Sequence, residues 1–474
     1  GKFGGDTDNW IWPRHTGDFS MFRVYASKDN RPAAYSPQNV PYRPKKHFSI
    51  STKGVKEGDF TMIYGFPGNT QEYILSDAVA YIAERSDPAK IAVRTGRLDI
   101  ITKAQESDPA LRIHYAAKHA SIANAWKKWQ GEALGIDRRG TVAAKFDYET
   151  QFGLWSVGRP EYAGVVMGLR AEYDRIMDAY FAYEITRETL STLPAAYTPE
   201  ERAEECFARR KFAEQALWRH AFREYGRCPK VYRTPSYAEG MARYKSPEAY
   251  ADALFEAVWE GSDSVAMQPA VRLREETKRM LDHISWMLGT KSLRNLNSKI
   301  LNELYTTYIK GLREWDRERA FYPDANLTLR VAYGSVAGYE YADGEYHKPQ
   351  TTLDGIIAKD NPEIYDYDIP QSLRDLYASK NYGRWGTVID GRRTVPVCFL
   401  ATNHTTGGNS GSPVLNAGGE LIGINFDRTW RSTMSDLQFD PAICRNIAVD
   451  IRYVLFTIDR IGGAGHLLKE MELR

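Results

Sequence analysis

The stretch from Thr405 to Leu415 contains the residues with the clearest potential for chemistry. It reads Thr-Thr-Gly-Gly-Asn-Ser-Gly-Ser-Pro-Val-Leu and carries Ser410 near its centre. A serine nucleophile needs an exposed hydroxyl on a tight turn, with backbone N–H groups directed at the oxyanion that forms. Because glycine permits such a turn, we expect the N–H groups of Gly408 and Ser410 to converge. The stretch therefore predicts Ser410 as a nucleophile, with Gly408 in its oxyanion hole.

Two short apolar segments follow this turn and favour a catalytic loop over an ordinary glycine- and serine-rich surface loop. Residues 413–415 and 421–426 both read as strands, and residues 416–419 supply the hairpin turn between them. This strand–hairpin–strand pattern resembles the C-terminal barrel of chymotrypsin-like serine peptidases. We therefore expect the turn to belong to a β-barrel.

A catalytic serine of this kind works with a histidine base and with an acid that orients the histidine. Asp18 is the candidate acid, because it lies directly ahead of an alternating segment, residues 19–25, that reads as a strand. The base precedes the acid in chymotrypsin-like chain order, and neither His15 nor His404 lies in a suitable place. The chain also opens inside what reads as a loop. We therefore expect the base upstream of Gly1.

The composition excludes several classes of protein. The 474 residues are 43% hydrophobic and 26% charged, with a formal net charge of +2, so we expect a folded chain that does not bind nucleic acid. No apolar run is long enough to span a membrane. The four cysteines form no Cys-x-x-Cys pair, so we expect no metal, no cofactor and no disulfide scaffold. Cys206 and Cys228 could pair if two helices face each other, but buried free thiols are the simpler expectation.

Three stretches of different character divide the chain. Strand-like alternation fills residues 1–80, helical patterns fill 81–325, and strands return in 326–474, which ends in a helix. A capping residue precedes proline at four predicted helix starts, namely Asp87-Pro88, Asp108-Pro109, Thr198-Pro199 and Ser246-Pro247. The simplest arrangement is an α+β fold, in which a β domain is split by a long helical insertion.

Two longer motifs resemble those of a known family. Asp-Asn-Trp-Ile-Trp-Pro-Arg-His-Thr-Gly-Asp-Phe at 8–19 and Gly-Gly-Asn-Ser-Gly-Ser-Pro-Val at 407–414 closely resemble the bacterial serine exopeptidases that include dipeptidyl peptidases 7 and 11. The resemblance implies a chymotrypsin-like double β-barrel with a large inserted α-helical domain over the active site. It makes Ser410 the nucleophile, Asp18 the orienting acid and the N–H groups of Gly408 and Ser410 the oxyanion hole. The resemblance also implies an N-terminal part of the double barrel that carries the family's catalytic histidine, and we expect both upstream of Gly1.

The same resemblance implies a clamp for the free amino terminus of a peptide. In this chain the clamp consists of Asn9, with Trp10 beside it, Asn124 from the helical region and Asp427 after the nucleophile. Such a set suits an ammonium group, which pairs with a carboxylate and donates hydrogen bonds to neutral acceptors.

Arg428 follows Asp427 and lies 18 residues after Ser410. In a chymotrypsin-like barrel, the strand after the nucleophile lines the pocket for P1, the substrate residue before the cleaved bond. A fixed cation there would pair with an acidic P1 side chain and disfavour an apolar one. Within the family, an arginine at this place resembles the dipeptidyl peptidase 11 branch, which cleaves after Asp or Glu. A surface arginine without this role is the alternative.

The sequence therefore predicts a serine dipeptidyl peptidase that acts on peptides with a free amino terminus and prefers Asp or Glu at P1. Two alternatives stay open. A glutamyl-type serine endopeptidase would share Ser410 and Asp18, and a non-catalytic peptide-binding protein would result if no upstream histidine exists. The resemblance also implies a periplasmic location and a homodimer.

Overall fold

The computed structural model describes residues 3–261, 264–289 and 296–474. The chain divides into two compact units: Tyr73–Pro323 forms one, and Gly1–Glu72 joins Asp324–Arg474 in the other. The first boundary falls at residue 72 rather than at 80, because helix formation already begins at Ser76. The strand-rich segments at the two ends of the chain therefore fold together, and the helical segments between them fold by themselves.

The unit Tyr73–Pro323 is built from helices. They are α1 (Ser76–Tyr81), α2 (Asp87–Ser107), α3 (Pro109–Arg138), α4 (Thr141–Ser156), α5 (Val165–Glu188), α6 (Pro199–Ala203), α7 (Lys211–Tyr225), α8 (Pro235–Tyr244), α9 (Pro247–Glu260), α10 (Ser264–Leu288) and α11 (Lys299–Trp315). Apolar residues recur on them at intervals of three and four, which places them on one helix face. In α9, for example, Tyr250, Leu254 and Val258 are all buried.

Three of the four predicted helix caps are confirmed. The side chains of Asp108, Thr198 and Ser246 accept hydrogen bonds from backbone N–H groups at the starts of α3, α6 and α9. The prediction for Asp87 is wrong, because α1 continues through one π-helical turn, Ile82–Ser86, into α2. Asp87 therefore begins the α-helical geometry of α2 without capping it.

The other unit carries the strands. They are β1 (Tyr25–Ala26), β2 (Val40–Pro41), β3 (Phe60–Gly65), β4 (Arg330–Ser335), β5 (Tyr339–Ala342), β6 (Glu345–His347), β7 (Gln350–Thr352), β8 (Thr387–Ile389), β9 (Arg392–Thr394), β10 (Pro396–Ala401), β11 (Pro413–Leu415), β12 (Leu421–Arg428) and β13 (Asn446–Asp450). Three helices accompany them: α12 (Leu353–Ala358), α13 (Gln371–Ser379) and α14 (Ile451–Phe456). The predicted hairpin between β11 and β12 is confirmed by their antiparallel pairing.

Seven strands form one antiparallel sheet in the order β4-β3-β11-β12-β13-β10-β7. The sheet closes on itself, because Thr402 N donates to Ser335 O at 2.9 Å and Ala337 N donates to Leu400 O at 3.2 Å. The end of β4 thereby returns to β10. The buried interior of this ring contains Val55, Ile63, Val336, Phe399, Val414, Ile422 and Ala448. Within the described ranges one such ring is formed, so the mixed helix and sheet content is established but the double barrel is not.

The strand predicted for residues 19–25 does not form. Only Tyr25–Ala26 pairs, with β2, and residues 19–24 have no regular secondary structure. The Phe22 and Val24 side chains are 87% and 64% exposed. An alternating pattern becomes a strand only where a neighbour supplies hydrogen bonds. Among the described backbone hydrogen bonds, this segment is reached only at its end, where Tyr42 N donates to Val24 O at 2.9 Å.

Two further expectations concern the cysteines and the membrane. All four cysteines are buried and free, so Cys206 and Cys228 do not form a disulfide. Among the described helices, none is both long and apolar enough to cross a membrane.

Candidate active site

Ser410 lies in the loop between β10 and β11, with its side chain exposed. The buried residue before it holds the loop together. Asn409 N donates to Thr406 O at 3.1 Å, the Asn409 side chain accepts from Thr406 N at 3.1 Å, and Ser412 N donates to Asn409 O at 3.0 Å. A turn fixed by its own hydrogen bonds therefore presents the Ser410 hydroxyl to solvent.

Gly408 occupies a position that only glycine can adopt. Its φ of +106° is rare for residues with a side chain. A Cβ atom there would also lie 2.3 Å from Phe66 O and 2.9 Å from Gly68 N. Among the described residues, no acceptor takes a hydrogen bond from the N–H group of Gly408 or of Ser410. Both groups are therefore available to an oxyanion.

A β-bulge lies next to the nucleophile. The register between β12 and β13 skips one residue between Asn425 and Asp427, so Phe426 is the extra residue of β12. Its carbonyl oxygen accepts a hydrogen bond from Ser410 Oγ at 3.2 Å. The bulge thereby joins the nucleophile to the strand position immediately before Asp427 and Arg428.

Asp427 is held by three hydrogen bonds. Its Oδ2 accepts from Trp10 N and from Arg14 Nη1, both at 2.9 Å, and its Oδ1 accepts from Arg428 N at 2.8 Å. Burial raises the pKa of the Asp427 carboxyl above its usual value, while the Arg14 guanidinium acts in the opposite direction. A carboxylate offers about four lone-pair positions, so about one further donor can bind here.

Arg428 is held by a buried carboxylate. Its Nη1 and Nη2 donate to the two oxygens of Asp436 at 2.7 and 2.8 Å, which is a bidentate ion pair. Nη1 also donates to Ser435 Oγ at 2.7 Å and to Thr405 O at 3.2 Å. The Trp10 ring centroid lies 5.6 Å from the guanidinium carbon. Because the Arg428 side chain is only 5% exposed, its direction is fixed by these neighbours.

Among the residues that the structure describes, no base is assembled beside the nucleophile. Asp18 is exposed, and within the described residues its carboxylate has neither a hydrogen bond nor an ion pair. His15 is buried, and burial lowers its pKa to about 4. His404 Nε2 donates to Ser435 O at 3.0 Å, and burial lowers the pKa of this histidine too. Neither histidine is hydrogen-bonded to Ser410 or to Asp18.

Two residues predicted to bind substrate, Asn9 and Trp10, lie in the same unit as Asp427 and Arg428, and a third, Asn124, does not. The backbone N–H of Trp10 donates to Asp427, and the Trp10 ring lies over the Arg428 guanidinium. Trp430 N donates to Trp10 O at 2.6 Å and holds the turn that carries the half-buried Asn9. Asn124 belongs to the helical unit, where it is exposed on α3.

One cluster of possible metal ligands lies in the helical unit. Atoms of His114, Glu204 and Cys206 lie within 4.8 Å of one another. Arg210 Nη1 lies among them, 2.6 Å from His114 Nε2 and 3.3 Å from Glu204 Oε2. Because the Arg210 guanidinium already supplies a positive charge at this place, the contacts of these side chains form an ion-pair network.

Sequence reasoning missed two residues of the site. Arg14 pairs with Asp427, and Asp436 pairs with Arg428. Arg14 lies inside the Trp-Pro-Arg-His motif, so its position carried a signal that could have been used. Asp436 carries no motif and becomes visible only when the chain after β12 folds back.

An exposed serine on a rigid glycine turn, with two N–H groups left for an oxyanion, is the arrangement by which serine peptidases form an acyl-enzyme. The protein is a serine peptidase. The chain belongs to the peptidase S46 family, whose profile matches residues 1–208 and 198–473.

Comparisons with individual proteins agree with this family. The chain is 41% identical to an Asp/Glu-specific dipeptidyl-peptidase of Capnocytophaga gingivalis and 34% identical to dipeptidyl-peptidase 7 of Phocaeicola vulgatus. All of this chain is covered in both cases, and 71% of each relative. The crystal structure of Porphyromonas endodontalis DPP11 in complex with the dipeptide Arg-Glu matches with a TM-score of 0.84 and 33% identity, covering all of this chain and 73% of that one.

Proposed function

We propose that this peptidase releases dipeptides from the free amino termini of peptides and prefers Asp or Glu at P1. The observation that carries the proposal is the run Phe426-Asp427-Arg428. Its first residue contacts the Ser410 hydroxyl, its second offers a buried carboxylate and its third a buried guanidinium. Relatives named Asp/Glu-specific dipeptidyl-peptidases at up to 41% identity support the same substrate class.

Catalysis follows from the turn that carries Ser410. Its oxygen attacks the scissile carbonyl, and the N–H groups of Gly408 and Ser410 bind the oxyanion. The hydroxyl proton needs a base, because the carbonyl of Phe426 accepts a hydrogen bond but cannot take up a proton. We assign this role to a histidine that is oriented by Asp18.

The ammonium group of the substrate binds at Asp427 with the help of Asn9 and Trp10. Three donors already occupy the Asp427 carboxylate, so a substrate ammonium would be its fourth. Arg14 compensates part of the negative charge and opposes the rise in the pKa of the Asp427 carboxyl that burial causes. In a dipeptidyl peptidase the cleaved bond lies two residues from the amino terminus that Asp427 would bind.

Arg428 binds the P1 carboxylate. Because its side chain is 5% exposed, an ion pair formed there is shielded from water and gains strength. An apolar P1 side chain would displace water from a fixed charge without pairing it. The preference for Asp and Glu follows from that difference.

By family resemblance, we also propose a periplasmic location and a homodimer, which cell fractionation and light scattering would test.

The experiment compares kcat/KM for peptides that differ only at P1, Asp or Leu, each with a free or an acetylated amino terminus. We expect Arg428→Ala to lower the Asp-to-Leu ratio at least about tenfold, which is roughly 1.4 kcal/mol. Arg431→Ala is the matched control, because Arg431 pairs with Glu345 instead.

Each alternative has its own outcome. Equal cleavage of free and acetylated peptides would indicate an endopeptidase. Peptide binding without fluorophosphonate labelling of Ser410 would indicate a non-catalytic protein. If Arg428→Ala leaves the Asp-to-Leu ratio unchanged, then Arg428 does not bind the P1 side chain. The assignment as a dipeptidyl peptidase would still stand.

A further inference from the structure

We propose that Asp436 is a positioning residue for P1 specificity: it holds the Arg428 guanidinium in the one orientation that can receive an acidic side chain. The inference rests on the proposed function, in which Arg428 binds the P1 carboxylate. Asp436 itself need not touch substrate. Its effect is exerted through the ion pair with Arg428.

The geometry of the pair carries the argument. Both terminal nitrogens of Arg428 bind the Asp436 carboxylate, at 2.7 and 2.8 Å, so the plane of the guanidinium is fixed as well as its position. The hydroxyl of Ser435 and the carbonyl of Thr405 bind the same Nη1. An arginine side chain otherwise has many rotamers of similar energy. Because these contacts already fix the Arg428 side chain, substrate binding does not have to remove its conformational entropy.

Asp436 is in turn fixed by its surroundings. It ends a 3₁₀ helix, Trp430–Asp436, in which Met434 and the residues on both sides of it are buried. Its carbonyl oxygen accepts a hydrogen bond from Gln71 N at 2.6 Å. A carboxylate on a buried, hydrogen-bonded segment can hold its partner in place, whereas one on a mobile loop would move with it.

The side chains around the pair include further polar groups. Asp436 and Arg428 together are neutral, and His404, which interacts electrostatically with both, stacks on Phe439 with 4.5 Å between ring centroids. Glu72 Oε1 lies 3.7 Å from His404 Nδ1 and accepts from Phe439 N at 3.2 Å. A P1 carboxylate therefore meets a guanidinium that is oriented by one acid. If Asp436 were absent, other acceptors near Arg428 could capture it.

The test measures kcat/KM for peptides with Asp or the isosteric Asn at P1, which differ only in charge. We expect Asp436→Asn to lower the Asp-to-Asn ratio at least about tenfold, because an amide NH₂ would face the guanidinium at one of its two contacts. The loss should lie mainly in the Asp substrate. The control is Asp440→Asn, four residues on, where the carboxylate accepts from Ala442 N rather than from Arg428.

A double-mutant cycle separates positioning from general damage to the fold. When Arg428 is already replaced by Ala, Asp436→Asn should leave the Asp-to-Asn ratio unchanged. If Asp436→Asn does not fold, Ser435→Ala replaces it, because it removes only the 2.7 Å bond to Nη1. We expect about a threefold fall in the ratio for that variant.

The results that overturn the inference are distinct from those that overturn the proposed function. If the wild-type protein has no preference for Asp over Asn, the proposed function fails. If the preference exists and depends on Arg428 but survives Asp436→Asn and Ser435→Ala, only the positioning role fails. An increased ratio in Asp436→Asn would also overturn it, because Asp436 would then be a competitor of the P1 carboxylate.

Discussion

His15 makes the loop that carries Asn9, Trp10 and Asp18 sensitive to acid. The imidazole is 8% exposed and packs so closely on α12 that a Cβ atom on Gly355 would lie 1.9 Å from its Nε2. Burial is the main cause that lowers its pKa, and the Lys359 ammonium adds to it, whereas Asp8 opposes the shift. The folded protein therefore holds His15 neutral at pH values at which the unfolded chain protonates it.

The magnitude follows from the two pKa values. The pKa of His15 is lowered from 6.5 to about 4, so between those values the unfolded chain binds more protons and stability falls as the pH falls. The contribution lost is about 2 kcal/mol at pH 5 and about 3 kcal/mol at pH 4, using 1.36 kcal/mol for each unit of pKa. At pH values above the pKa of His15 in the unfolded chain, this stability is fully retained.

Urea unfolding at about pH 7 and about pH 5 measures this loss. We expect the difference between the two pH values to be about 2 kcal/mol smaller in His15→Leu than in the wild type, whatever the substitution does to stability at neutral pH. His466→Leu is the control, because His466 is exposed. If His15→Leu loses as much stability on acidification as the wild type, then another group controls the acid response and the reasoning is refuted.

Two other predictions concern the nucleophile turn and the Asp427 carboxylate. Gly408→Ala should lower kcat at least about 100-fold, because the new Cβ would lie 2.3 Å from Phe66 O. Gly411→Ala is the control and should lose much less activity, because Gly411 also has a positive φ but no atom lies within 4 Å of the added Cβ. Equal losses of kcat in the two variants would assign the effect to backbone strain alone. Arg14→Met should raise the pKa of Asp427 further and move the acidic limb of kcat/KM to higher pH, as pH–rate profiles would show; an unmoved limb would mean that Asp427 does not control it.

Local patterns predicted those parts of the fold that depend on neighbours in sequence. The caps at Asp108, Thr198 and Ser246 were predictable because a cap bonds to the next turn of its own helix. Asp87 was not, because whether α1 continues into α2 depends on the packing around the turn between them. Residues 19–24 show the same limit for strands, since their alternation does not say whether a neighbouring strand is present.

The candidate site divides along the same line. The loop that carries Gly408 and Ser410 and the strand after it were predictable, because they are close in sequence, whereas the roles of Asp427 and Arg428 stay predictions. The partners that hold the two charged residues were not predictable. Each partner reaches its residue through tertiary folding, Arg14 across 413 residues of chain and Asp436 through the return of the segment after β12.

Adjacent opposite charges on one strand suit a substrate that carries opposite charges itself. A peptide with an acidic P1 residue offers an ammonium group at its amino terminus and a carboxylate one residue later. Asp427 and Arg428 present the complementary order, and each already has a counter-ion, at 2.9 Å in one pair and 2.7 Å in the other. A buried charge without a partner would destabilise the fold by several kcal/mol, so the counter-ions Arg14 and Asp436 stabilise the two side chains to which the proposed function assigns substrate recognition. Specificity in such a site comes from orientation more than from total charge, and this is why the positioning residues, rather than further charges, are the places where selectivity can be altered.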